Sequence, residues 1–122
     1  MTAKANYDVI ILGTGPAGLQ AAIHAARKKV SVLVMGKETK SSLFHAHVEN
    51  FCCLFNVSGE DMLDVGRQQA ANFGAAMLEE DVLSVASDGS LFNVTTESRQ
   101  ALECKSLIVA TGTARKKLGV AG

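Results

Sequence analysis

An apolar run, Val9-Ile10-Ile11-Leu12, that ends in Gly13-Thr14-Gly15-Pro16-Ala17-Gly18 predicts an α/β fold built on a parallel sheet. Two further observations support that class. An alanine-rich helical stretch starts at once after the glycines, and a second continuous apolar run, Leu107-Ile108-Val109-Ala110, closes on Thr111-Gly112. The expected architecture is Rossmann-like: a parallel sheet with helices, plus a small antiparallel β-meander.

The first unit is strand Tyr7–Leu12, helix Pro16–Lys28 and strand Val30–Met35, about thirty residues, the usual size of a right-handed βαβ crossover. Each glycine of the motif has a physical task. Gly13 permits the tight turn out of the strand, Gly15 lets backbone approach a pyrophosphate, and Gly18 with Ala22 lets the helix lie close to the sheet. Pro16 suits a first helical turn, where its missing N–H costs nothing. The free N–H groups and the dipole at that helix start favour an anion.

Residues 36–57 show no clear period and read as a long loop with a short helical turn; loops of that length in compact domains are usually functional. Ser58 is placed to cap a second helix, with Glu60 and Asp61 in its first turn, Met62, Val65, Gln69 and Phe73 at helical spacing and Gly74 as its stop. Short strands follow at Ala75–Leu78, Val82–Ala86, Leu91–Thr96 and Ala101–Lys105, with an Asp88-Gly89 turn inside the meander. A final strand, Ser106–Ala110, reads as buried on both faces and returns to the sheet beside the first.

Composition narrows the function classes. With 122 residues the chain is one domain, and with 12 basic and 12 acidic residues its formal net charge is zero. No broad attraction to nucleic acid or to an anionic membrane follows, and no apolar stretch approaches a membrane span. The N-terminal Met1–Asn6 leads straight into the first strand with no room for a signal peptide. Together with three cysteines, an odd number, this is the expectation for a reducing cytoplasm.

Four segments carry a resemblance to a known family: Asp8–Gly18, Val48-Glu49-Asn50-Phe51, Phe73-Gly74-Ala75 and Leu107–Gly112. In order and spacing they resemble the N-terminal FAD-binding half of the thioredoxin-reductase-like flavoproteins, within the pyridine nucleotide-disulfide oxidoreductases. The likeness extends over nearly the whole chain. It implies an FAD/NAD(P)-binding domain over residues 1–122 in which Gly13, Gly15, Pro16, Ala17 and Gly18 cradle the FAD pyrophosphate. Asn50 would lie near the flavin, Val82 would present backbone to the adenine, and Thr111 and Gly112 would pass close to the cofactor. Where many dinucleotide sites place an acid for the ribose hydroxyls this chain has Gly36, so Glu38 is the candidate ribose contact.

The chain departs from the family pattern at two further places. Ser41-Ser42-Leu43-Phe44 stands where the family has Gly-Gly-Gln-Leu, and Cys52-Cys53 follows Val-Glu-Asn-Phe where Pro-Gly is usual. No Cys-x-x-Cys occurs, so the adjacent pair is not the family's dithiol; the expectation is two buried thiols, with Cys104 structural. His45 and His47 lack partners at zinc-site spacing and are read as loop residues able to tune a flavin or move a proton. His24 is read as a partly exposed helix residue. Arg115-Lys116-Lys117 form either a solvated basic turn or a phosphate contact to a second nucleotide.

The resemblance implies an incomplete FAD domain, without the NADPH domain and without catalytic residues of its own. The resulting expectation is the FAD-binding portion of an oxidoreductase passing electrons from NADPH through FAD to a disulfide or similar acceptor. The alternative is a stand-alone, non-catalytic dinucleotide-binding module acting through a partner subunit. A homo-oligomer or partner would complete the flavin pocket in either case; no metal is expected.

Overall fold

A computed structural model describes residues 5–112. The elements are β1 (Asn6–Leu12), α1 (Pro16–Arg27), β2 (Val32–Met35), a 3₁₀ turn (Glu38–Lys40), β3 (His47–Val48), β4 (Val57–Ser58), α2 (Gly59–Asn72), β5 (Ala76–Leu78), β6 (Val82–Ser87), β7 (Phe92–Thr96) and β8 (Ala101–Val109). Six strands form one mixed sheet in the order β5-β2-β1-β8-β7-β6, and β3 pairs with β4 in a small antiparallel ribbon. β1 runs parallel to both β2 and β8, and β2 runs parallel to β5, so the expected parallel core is present.

Two hydrophobic clusters show how the layers stack. On one face Ile11, Val32, Val34 and Ala75 meet Ala22 and Ala26 of α1 and Ala70 of α2. On the other, Ile10, Leu12, Leu33 and Met35 meet Val94, Leu102 and Cys104 of the meander. The helices therefore cover one side of the parallel strands, and the meander folds over the other. Each face of β2 has a cover, and all four of its residues are buried.

Five sequence expectations change. The meander's last strand and the final parallel strand are one strand, β8. Its first part, Ala101–Cys104, pairs antiparallel with β7, and Glu103–Val109 pairs parallel with β1. The polar Lys105-Ser106 step reads as a break in sequence, but it is where one strand passes from the meander to the parallel sheet. The end of β8 is also not buried on both faces: Ile108 is 37% and Val109 67% exposed, since β7 stops pairing at Cys104.

The apolar face of α2 differs as well. Leu63 and Ala70 are buried at 1% and 0%, while Val65 is 55% and Phe73 50% exposed. The buried stripe runs through Gly59, Leu63 and Ala70, and a Cβ on Gly66 would lie 3.0 Å from Leu19 Cδ1. Small residues let α2 approach α1, a signal that hydrophobicity does not carry. Phe73 instead lies under the Arg27 guanidinium, 5.6 Å from the ring centre.

β2 begins at Val32 rather than Val30, because Lys29 takes φ +63° and Ser31 is held by Asp8. Residues 36–57 contain the expected helical turn, but also the β3–β4 ribbon. The Ser58 cap is borne out: its hydroxyl accepts the Asp61 N–H at 3.1 Å. Asp88 and Gly89 form the expected turn, with Gly89 at φ +96° and Asp88 Oδ1 accepting the Ser90 and Leu91 N–H groups.

Candidate functional site

The carboxyl ends of β5, β2, β1 and β8 are fastened each to the next by backbone. Gly13 N–H donates to Met35 O at 2.7 Å, Ala110 N–H to Leu12 O at 2.8 Å and Gly36 N–H to Leu78 O at 3.1 Å. β1 is followed through α1 to β2 on one side, while β8 lies on the other. The gap between β1 and β8 is thus a topological switch point, where parallel α/β sheets bind ligands at the strands' carboxyl ends.

A cavity of about 410 Å³ opens there, within the range of small-molecule sites. Its floor is Leu12–Ala17. One wall is Met35, Gly36, Lys37 and Lys40–Ser42; the other is Ala110–Gly112, with Asp81 and Val82 at the far end.

The two helices begin differently. α2 has its Ser58 cap and two acidic residues in its first turn. α1 has neither: Gly15 at its N-cap offers no side chain, and no acid lies in its first turn. Leu19 N–H bonds Gly15 O at 3.0 Å, so the Ala17 and Gly18 N–H groups remain without an intrahelical acceptor. These donors and the helix dipole suit an anionic group on the cavity floor.

The charges around the cavity are tied down from outside. Lys40 pairs with Asp81 across its far end, and Lys37 Nζ lies 3.0 Å from Glu97 Oε1. Glu97 also accepts the Asp81 N–H at 2.8 Å. That backbone bond first, then Lys37, hold the Glu97 carboxyl below its ordinary pKa, and the hydrogen bond to Asp81 raises Lys40. Lys40 thereby ties the 37–42 segment to the β5–β6 connection, and Lys37 ties it to the β7–β8 turn.

Of the residues singled out from sequence, Gly13, Gly15, Pro16, Ala17, Gly36, Val82, Thr111 and Gly112 line this one cavity. Gly18 lies beneath it, packed on the Gly13 carbonyl. Glu38 does not line it. Its carboxylate turns to Arg67 Nη1 at 2.8 Å and borders a separate space of about 40 Å³. Burial pushes the Glu38 pKa up, against the pull of Arg67. Asn50 is exposed and also lies away from the cavity wall.

Lys37, Lys40, Ser41, Ser42, Thr14 and Asp81 are cavity residues that sequence reasoning missed. A signal for some of them was present: the basic Lys37-x-x-Lys40 and the acidic Glu79-Glu80-Asp81 are complementary.

Cys52 and Cys53 are both exposed, against the expectation of buried thiols, while Cys104 is buried within β8. His45 stacks edge-on to Phe44 at 4.7 Å, His47 contacts Glu49 and Asn56, and His24 is exposed. Arg115-Lys116-Lys117 and the first four residues of the reading at Met1–Asn6 lie outside the described residues. Among the described residues no helix is long and apolar enough to cross a membrane.

The sequence pattern of the family described as pyridine nucleotide-disulphide oxidoreductase matches residues 7–122. A bifunctional thioredoxin reductase/thioredoxin of Mycobacterium leprae is 36% identical over 119 residues, covering 95% of this chain and 26% of that protein. The thioredoxin reductase of Listeria monocytogenes is 35% identical over 118 residues, covering 95% and 37% respectively. Among solved structures, an atypical thioredoxin reductase from Desulfovibrio vulgaris Hildenborough superposes with a TM-score of 0.83 at 30% identity, covering 94% of this chain and 39% of that one. The chain thus spans 26% and 37% of the two curated relatives' lengths.

Proposed function

This chain belongs to the pyridine nucleotide-disulphide oxidoreductase family, and from that premise we propose that it binds the ADP half of FAD in the cavity at the start of α1. The observation that carries the reading is the uncapped, acid-free N-terminus of α1 on the cavity floor. The donor set fits the group: backbone and small residues line the space where a pyrophosphate belongs, and among the described residues the one acid lining the cavity, Asp81, is paired with Lys40.

In this reading the Ala17 N–H group holds the pyrophosphate, and Gly15 keeps side-chain bulk away from it. Asp81 and Val82 border the adenosine end. Ser41 and Ser42 offer hydroxyls along one wall, and Thr111 and Gly112 form the other. Glu38 is committed to Arg67, and Lys37 and Lys40 to Glu97 and Asp81, so ribose recognition falls to Ser41 and Ser42. The bound flavin would supply the redox chemistry, accepting electrons from NADPH and delivering them to a disulfide or similar acceptor in the whole enzyme. The residues of this chain bind and orient.

The test is calorimetric titration of the 122-residue chain with ADP and with FAD, together with the absorbance spectrum of the protein as purified. Saturable, equimolar binding of both ligands is expected. Absence of ADP binding, or ADP affinity unchanged in a Gly15→Val variant, refutes the reading. ADP binding with no added affinity for FAD would favour the non-catalytic module instead.

A further inference from the structure

The nucleotide reading leaves Cys52 and Cys53 unused. Both are exposed free thiols in the connection between β3 and β4. Adjacent side chains on an extended strand point to opposite sides. Here the Leu54 N–H donates to Phe51 O at 3.1 Å and closes a four-residue turn. Cys53 takes φ +76° at the third position of that turn, where glycine is the common occupant. The outcome is a pair of sulfurs 3.6 Å apart on the protein surface.

That distance separates two uses of the pair. A direct sulfur–sulfur bond needs about 2.05 Å, and bridged cysteines usually have Cα atoms at least ~4.4 Å apart. Adjacent residues are held at about 3.8 Å by the peptide bond, so the resulting ring is strained. A single atom bonded to both sulfurs meets no such obstacle. Two bonds of about 2.3 Å at the roughly 100° angle of a pyramidal trivalent centre place sulfurs about 3.5 Å apart, close to what the turn presents.

Ligand count then narrows the class. Among the described residues, no group of three His, Cys, Asp or Glu side chains is placed to hold a metal ion. A metal needing four protein donors is not served. A trivalent arsenical with one organic substituent needs two sulfurs and no third protein donor. Phe51 and Phe55, 63% and 93% exposed, flank the pair in sequence and offer aromatic surface to such a substituent.

We propose that Cys52 and Cys53 form a bidentate dithiol site for monosubstituted trivalent arsenicals. Two thiols react with the arsonous acid, R–As(OH)₂. Two As–O bonds break and two As–S bonds form, and each thiol proton leaves with a hydroxide as water. Arsenic stays trivalent and no electron is transferred. The site rests on the thiols alone and stands whether or not the cavity binds a nucleotide.

The probe is phenylarsine oxide, added to the reduced full chain and followed by intact-protein mass spectrometry. One arsenic per chain is expected, retained against excess 2-mercaptoethanol and removed by 2,3-dimercaptopropanol. Cys52→Ser and Cys53→Ser should each weaken retention on the order of a hundredfold or more, because the second bond is intramolecular. Cys104→Ser should leave it unchanged. X-ray absorption at the arsenic edge on the wild-type adduct provides a readout independent of any variant's folding, with two sulfur neighbours expected. A single sulfur neighbour, release by the monothiol, or full retention in either single-serine variant would overturn the proposal.

Discussion

The carbonyl oxygen of Gly13 fills the space that a Cβ on Gly18 would need, lying 1.8 Å from that position. The oxygen belongs to backbone at the end of β1, so it cannot rotate away as a side chain would. The first and third glycines of the motif therefore act on each other. The turn after β1 and the first turn of α1 touch through backbone, and this contact sets the floor of the cavity.

Gly18→Ala should consequently damage the fold. Relief requires α1 to move off the sheet, opening the cluster that joins Ile11 to Ala22 and Ala26. The expected cost is on the order of 3 kcal/mol, read as a lower urea midpoint. A midpoint unchanged within error would mean that this contact does not constrain the helix.

Gly15→Ala should separate ligand binding from folding. A Cβ there meets only the Ser41 side chain, closest at its Oγ at 3.1 Å, an atom able to turn aside. Gly15 also has φ −78°, open to any residue. Stability should change by about 1 kcal/mol or less, while ADP affinity falls about tenfold, equivalent to ~1.4 kcal/mol. Calorimetry and urea melts on the same variant test both halves.

Asp8 and Ser31 link β1 to the entry of β2 and predict an acid dependence. Asp8 Oδ2 accepts from the Ser31 N–H at 2.8 Å and from its hydroxyl at 3.0 Å, while Lys105 Nζ lies 3.3 Å from Oδ1. The Ser31 N–H, then the Ser31 hydroxyl and Lys105, lower the Asp8 pKa. A lowered folded-state pKa favours the folded state above the unfolded carboxylate value of about 3.9, and that contribution is lost as pH falls through the folded value. Ser31→Ala should move the Asp8 pKa up toward the ordinary value, observed by carboxyl ¹³C titration. An unmoved titration would show that the hydroxyl contributes nothing.

The Lys40–Asp81 pair should hold little energy despite its place at the cavity. The Lys40 side chain is 64% exposed, and solvent screens the attraction. A double-mutant cycle with Lys40→Ala and Asp81→Ala should give a coupling of about 0.2–1 kcal/mol. The coupling should shrink in high salt. Salt-independent coupling would point to a packing contact instead.

The β1–α1–β2 unit and the Ser58 cap could be read from the sequence because their signals are local. A four-residue apolar run, glycines at fixed spacing and a hydroxyl before two acids each specify backbone conformation within a few residues. Of the eight cavity residues named in advance, Gly13, Gly15, Pro16 and Ala17 come from a segment of this kind, whereas Val82, Thr111 and Gly112 were named from the family resemblance.

Tertiary structure decided what depends on distant partners. Gly66 marks the packing face of α2 only because Leu19 of α1 lies against it, Gly59 only because the Leu43 carbonyl does, and Val65 and Phe73 lie off that face although their apolar character had placed them on it. Glu38 turned from the cavity because Arg67, 29 positions along the chain, lies within reach of its carboxylate. β8 is one strand because the meander and the parallel sheet share it, while its sequence changes character halfway. Periodicity reports the state of the backbone; the choice of which faces and charges meet is made by contacts between segments far apart in the chain.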